Sequence, residues 1–114
     1  MPTEDPLVAR SRNSIRALVE LLRTRGPMYV GTPSIECLAA FISGWLWALN
    51  DRPVDSELWD HFVDFVARRY SDTNHRSWNA LIAFHNPHTF EAYENFFRLF
   101  DRSIDEFEAR ANRP

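Results

Sequence analysis

The chain has 114 residues, enough for one domain with a single core and no covalent staples. A hydrophobic share of 45% with 25% charged residues is ordinary for a globular protein and excludes general disorder. The net charge is −3, every one of the 13 basic residues is Arg, and the single cysteine excludes both a disulfide framework and a Cys-rich zinc site.

Charge is unevenly placed. Residues 1–49 carry five Arg against Glu4, Asp5, Glu20 and Glu36, a balance of +1, whereas residues 50–114 carry eight Arg against twelve acids, a balance of −4. A broad basic stripe of the nucleic-acid-binding kind is absent, so no direct nucleic-acid partner is expected. The opening MPTEDPLVAR puts acids where a secretory signal needs positive charge. No apolar run approaches the ~20 residues that span a bilayer. The resulting expectation is a cytoplasmic protein with no membrane partner. Three glycines, no alternating β-branched runs and a 14% aromatic share at helical spacing point to an all-α domain over residues 1–114.

In chain order, residues 1–9 read as a frayed polar lead-in, with Asp5-Pro6 able to cap an early turn. The first clear helix covers about Arg10 to Arg25, with Ile15, Leu18, Val19 and Leu22 on one face. Gly26-Pro27 is expected to stop it, leaving Met28-Tyr29-Val30-Gly31 as an extended connector. Thr32 and Pro33 are expected to open a central helix over residues 33–50. Its stretch from Ile35 to Leu49 holds Leu38, Phe41, Ile42, Trp45, Leu46 and Trp47 and has hardly any polar face. A helix apolar nearly all round belongs inside a packed domain, so four others should wrap it. Within it Cys37 reads as a small buried hydrophobe, and Gly44 as a point of close helix approach.

The third helix runs from Asp55 or Ser56 to Tyr70, with Leu58, Trp59, Phe62, Val63, Phe65 and Val66 making a wide apolar face. Glu57, Asp60 and Asp64 recur at steps of 3 and 4 and line one side of it. A fourth, about Arg76 to His85, should bury Trp78, Leu81, Ile82 and Phe84. After Asn86-Pro87-His88, Thr89 can cap a last helix, about Phe90 to Arg110. There Phe90, Tyr93, Phe97, Phe100, Ile104 and Phe107 form a seam, reinforced by Phe96. Beside the seam runs a mainly acidic row containing Glu91, Glu94, Asp101, Asp105 and Glu108.

Motifs for catalysis are lacking: no Gly-rich phosphate loop, no HExxH and no GxSxG occur. His85 and His88 are three apart, but Pro87 between them removes the fixed helical geometry a metal pair needs. His61 lies among Glu57, Asp60 and Asp64 in the sequence, and no nucleophile accompanies it. Neither a metal, a cofactor nor an enzymatic role is expected. The carboxylate rows have a different possible use. Like-signed groups held side by side gain from an arriving cationic surface, so Glu57, Asp60, Asp64, Asp101 and Asp105 are candidate contacts for a basic partner, with Tyr29 as an aromatic anchor if it is exposed.

The run Arg25-Gly26-Pro27-Met28-Tyr29-Val30-Gly31, followed by Ser34-Ile35, Leu38, Phe41, Ile42, Gly44 and Trp45, resembles small bacterial proteins with an R-x-x-M-Y-[LV]-G turn entering an apolar helix. Phe65 to Tyr70, Ser77-Trp78 and Phe96 to Phe107 hold the places of their later segments, so the resemblance spans roughly residues 12–107. It implies an immunity protein of contact-dependent growth inhibition or polymorphic toxin systems, binding and occluding a cognate toxin, a nuclease being the best match to an acidic inhibitor. A similar R-P-x-M-Y-I-G run in the nucleotide-binding subunit of DNA gyrase is a local coincidence, because this chain lacks that ATPase's length and glycine-rich lid motifs. The alternative expectation is a small-ligand-binding or regulatory helical domain with a pocket near His61, His85 and Tyr29. Both a monomer and a homodimer fit the surplus of aromatics.

Overall fold

The computed structural model describes residues 5–50 and 52–112. They form six helices: α1 Pro6–Arg10, α2 Ile15–Tyr29, α3 Ile35–Ala48, α4 Ser56–Arg69, α5 Trp78–His85 and α6 Thr89–Ala111. Among the described residues there is no strand, and side chains from α2 to α6 share one core. The all-α single domain read from the sequence is the fold observed, with six helices in place of about five.

Serine starts three of the helices. Ser14, Ser34 and Ser77 each accept a hydrogen bond from the backbone N–H three residues on, at 3.2, 3.3 and 3.4 Å, satisfying a donor that the first helical turn leaves over. The cap of α3 is therefore Ser34, and the helix begins two residues later than the Thr32-Pro33 pair suggests. Likewise Thr89 lies inside α6, whose cap position is His88, without a side-chain cap bond. The extra helix, α1, falls in the stretch expected to fray. Asp5 accepts from the Leu7 N–H at 2.8 Å and Pro6 occupies the first helical position, while the Asp5 carboxylate also pairs with Arg25 of α2. Residues 1–4, the remainder of that lead-in apart from Asp5, lie outside the described residues, as does Asp51.

Gly26-Pro27 kinks α2 and does not end it. Arg25 takes non-helical angles (φ −133°, ψ 29°), and a further turn follows through Tyr29. Pro27 sits near the start of that turn, where its missing N–H leaves no bond unmade. The Val30 N–H then bonds to the Gly26 carbonyl at 2.7 Å. Met28 and Tyr29 are thus helical, and the chain reverses at Gly31, whose φ of +84° favours glycine.

The centre of the core is Phe62 of α4. Its ring lies 5.4 Å from those of Phe96 and Phe100 on α6 and 5.7 Å from Trp78 on α5. Trp59 closes the cluster, edge-on to Trp78 at 5.4 Å. Edge-to-face pairs at these spacings add to the burial that already dominates aromatic energetics. Against this cluster α3 lays one face, burying Ile35, Leu38, Ala39 and Ile42.

The expected wrapping of α3 is corrected. Phe41, Trp45, Leu46 and Leu49 are half-buried, and Trp47 is 83% exposed. Cys37 is exposed as well. A Cβ at Gly44 would meet nothing within 4 Å, so no neighbour approaches there. The close approach occurs at Gly26, where a Cβ would fall 2.4 Å from the Tyr93 Oη. Three further residues expected on apolar faces, Val63, Phe84 and Phe90, are exposed, and Phe65 is half-buried. On α6 the buried row is Ala92, Phe96, Phe97, Leu99, Phe100 and Ser103, with Tyr93, Ile104 and Phe107 half-buried on its flank.

Candidate partner-binding surface

The α4 row is built by helical spacing alone. Leu58, Trp59, Phe62 and Val66 turn inward, which leaves Glu57, Asp60 and Asp64 exposed on the opposite side. Among the described residues neither Glu57 nor Asp60 takes part in an ion pair. Asp64 does, accepting from Arg68 Nε at 2.7 Å.

Arg68 also donates through Nη2 to Glu106 Oε1 of α6 at 2.7 Å, and Arg110 Nη2 reaches the same oxygen at 3.0 Å. The Arg68 hydrogen bond, followed by the Coulomb pull of Arg68 and Arg110, holds the Glu106 carboxyl below its ordinary range. In return, Glu106 first and Asp64 second raise the Arg68 guanidinium. His61 faces this cluster and not the acids of its own helix. Its ring packs edge-on against Phe107 at 5.4 Å, and its buried Nε2 lies 3.4 Å from Glu106 Oε1 without hydrogen-bond geometry.

Asp101 and Asp105 do not extend the α4 row. Asp101 forms a two-pronged pair with Arg23 of α2, at 2.5 and 2.8 Å, and that contact raises the Arg23 guanidinium. Glu108 on the same side meets Arg16 at 2.8 Å. Residues 101 and 106, five apart, point about 140° away from each other around α6. Asp101 therefore looks toward α2, and Glu106 toward α4. Asp105 is exposed between them and in no ion pair among the described residues. The five carboxylates thus form a row on α4 and a separate set on α6, the latter partly neutralised by α2. Only tertiary packing decides that neutralisation, and Arg16 and Arg23 appear in the sequence merely as residues off the apolar face.

Tyr29 is 37% exposed and sits edge-on to Phe41 at 6.2 Å. It lines a hollow of about 330 Å³ between α1, α2 and α3, together with Val8, Leu18, Phe41, Trp45 and Ala48. Trp45 is fixed there by its Nε1–H, which donates to the Ser11 carbonyl at 2.9 Å. Neither His61 nor His85 lines this hollow. His85 stacks flat on Tyr70, with centroids 4.1 Å apart and planes 5° off parallel, and His88 is exposed at the start of α6. Among the described residues no group of three or more His, Cys, Asp or Glu side chains is arranged to hold a metal ion.

The surface belongs to a single all-α domain in which no helix, among the described residues, is long and apolar enough to cross a membrane. Comparison of the chain with protein-family models, curated proteins and solved structures finds no match in any of the three.

Proposed function

We propose that the protein acts by binding: an immunity-type inhibitor that occludes a basic toxin, a nuclease being the class that fits best. One observation carries this reading. Glu57 and Asp60 are exposed side by side on α4 with no cation compensating them among the described residues, and Asp64 continues the row. Carboxylates held this way repel one another in the free protein, and a cationic patch relieves that repulsion on docking. Nuclease toxins attract phosphate and therefore carry such patches. The assignment to toxin immunity rests on the resemblance at Arg25 to Gly31, and the site on the α4 row.

The test is binding to the product of the gene immediately upstream. The expected result is association that weakens as salt rises and slows by roughly tenfold or more when Glu57 and Asp60 are both changed to Lys. Unchanged affinity and salt dependence in that double variant would overturn the reading. The alternative, a small-ligand-binding or regulatory domain, has in its favour the hollow beside Tyr29, at the small end of the ~300–1,000 Å³ usual for ligand pockets. Its polar side chains are few, Ser11, Arg12 and Tyr29, with the Trp45 indole N–H already bonded to the Ser11 carbonyl, so the acidic row carries the conclusion.

A further inference from the structure

The outer face of α3 is a surface that the acidic row does not use. Cys37, Ala40, Gly44, Trp47 and Ala48 recur at steps of 3 and 4 and are all exposed. From Cys37 to Leu49 the sequence has no charged residue. On one edge of this face stands the Trp47 indole, and on the other lies the hollow lined by Tyr29, Phe41, Trp45 and Ala48. The two edges are distinct because Trp45 and Trp47, two residues apart, point about 160° away from each other on a helix.

We propose that a second copy of this chain seats on this face, α3 against α3 in parallel, with each Trp47 entering the other copy's hollow. A surface that carries both a knob and a matching hole is self-complementary, which is what a two-fold contact requires. Orientation follows from the geometry. A two-fold axis along the helices sets the indole edge of one copy against the hollow edge of the other. An axis across them would set indole against indole and leave both hollows open. The α3 strip itself carries no charge, so like-charge repulsion between copies is confined to Arg12, which lines each hollow. Gly44, with open space where a side chain would stand, lets the two helices come close.

The area suits a weak contact between copies. At 83% exposure each indole offers ~150–200 Å², and two indoles with the two hollows they cover bury ~600–800 Å². The intervening strip of Ala40, Gly44 and Ala48 brings the contact toward the ~1,000 Å² that a specific interface needs. Such a contact lies at the lower end of the range, so the dimer forms in a concentration-dependent equilibrium.

Sedimentation equilibrium of the full chain from about 1 μM to about 1 mM tests this. The mass should rise from 13.4 kDa toward twice that value. Gly44→Leu and Trp47→Arg should each hold it at 13.4 kDa. Leu at an exposed helical position favours the isolated helix over Gly, so loss of the dimer in that variant does not report unfolding. A short bis-maleimide should join the two native Cys37 thiols in the dimer and fail to do so in Gly44→Leu. A monomer at every concentration, a dimer indifferent to Gly44→Leu, or thiols that do not join would each overturn the proposal. None of these outcomes depends on toxin binding, so this proposal and the immunity reading stand or fall separately.

Discussion

Asp55 caps a helix to which it does not belong. It occupies the cap position of α4 but makes no side-chain bond there. Its carboxylate instead accepts from the Ile15 N–H at 2.7 Å, the Arg16 N–H at 3.0 Å and the Ser14 hydroxyl at 2.9 Å, all at the start of α2. Beside it the Val54 N–H bonds to the Asn13 carbonyl at 2.8 Å. Two turns far apart in sequence are thereby locked together, and a carboxylate meets the positive end of the α2 dipole.

Asp55→Ala removes three hydrogen bonds at once and should destabilise the fold by about 2–3 kcal/mol, more than an ordinary cap loss of ~1 kcal/mol. Asp55→Asn, which keeps an acceptor, should recover part of that. Urea denaturation of the three proteins decides it. Equal losses for Ala and Asn would mean that the carboxylate's charge matters and its hydrogen bonds do not.

A methyl group at Gly26 would collide with the Tyr93 hydroxyl. Tyr93 is half-buried and its ring packs edge-on against Phe97 at 5.3 Å, so it has limited freedom to retreat. Gly26→Ala is expected to cost about 1–3 kcal/mol, as overpacking does. In a Tyr93→Phe background, which removes the colliding oxygen, the same change should cost less. A double-mutant cycle on thermal midpoints reads the coupling.

Acid should loosen the contact between α4 and α6. The Glu106 carboxyl lies below its ordinary value in the fold because Arg68 hydrogen-bonds to it. A depressed carboxyl contributes stability above its unfolded value, near 4.3, and that contribution disappears as pH falls through the folded value. Asp5, depressed by Arg25, acts in the same direction. Stability should therefore fall below about pH 5, and Glu106→Gln should be less stable than the parent at neutral pH with a shallower acid limb. Denaturation midpoints between pH 7 and pH 3 would check this, and parallel curves for the two proteins would refute it.

Phe62 touches Trp59, Trp78, Phe96 and Phe100 and is fully buried. Phe62→Ala should cost about 3–5 kcal/mol through lost burial and the cavity left behind. Phe84→Ala, at a position the sequence pattern assigns to the core but the fold exposes, should change stability by less than about 1 kcal/mol. Calorimetric melting of both variants compares the two sites directly.

Helical periodicity, taken from the chain alone, determined the all-α class, the bounds of α4 to within a residue or two, and the outward row Glu57, Asp60 and Asp64. Those properties are local: a polar residue every third or fourth place faces away from its apolar neighbours wherever the helix is put. The faces of α3 were not legible in this way, since a helix apolar in every direction does not say which side will be covered. Packing alone exposed Trp47 and Cys37 and made Phe62 the hub. Nor could spacing distinguish Gly26 from Gly44 as the site of close approach, because that depends on where Tyr93 arrives from α6. The same reason separates Asp101 from Glu57: one carboxylate meets an arginine of α2 and the other meets water, a difference created only when distant segments are brought together.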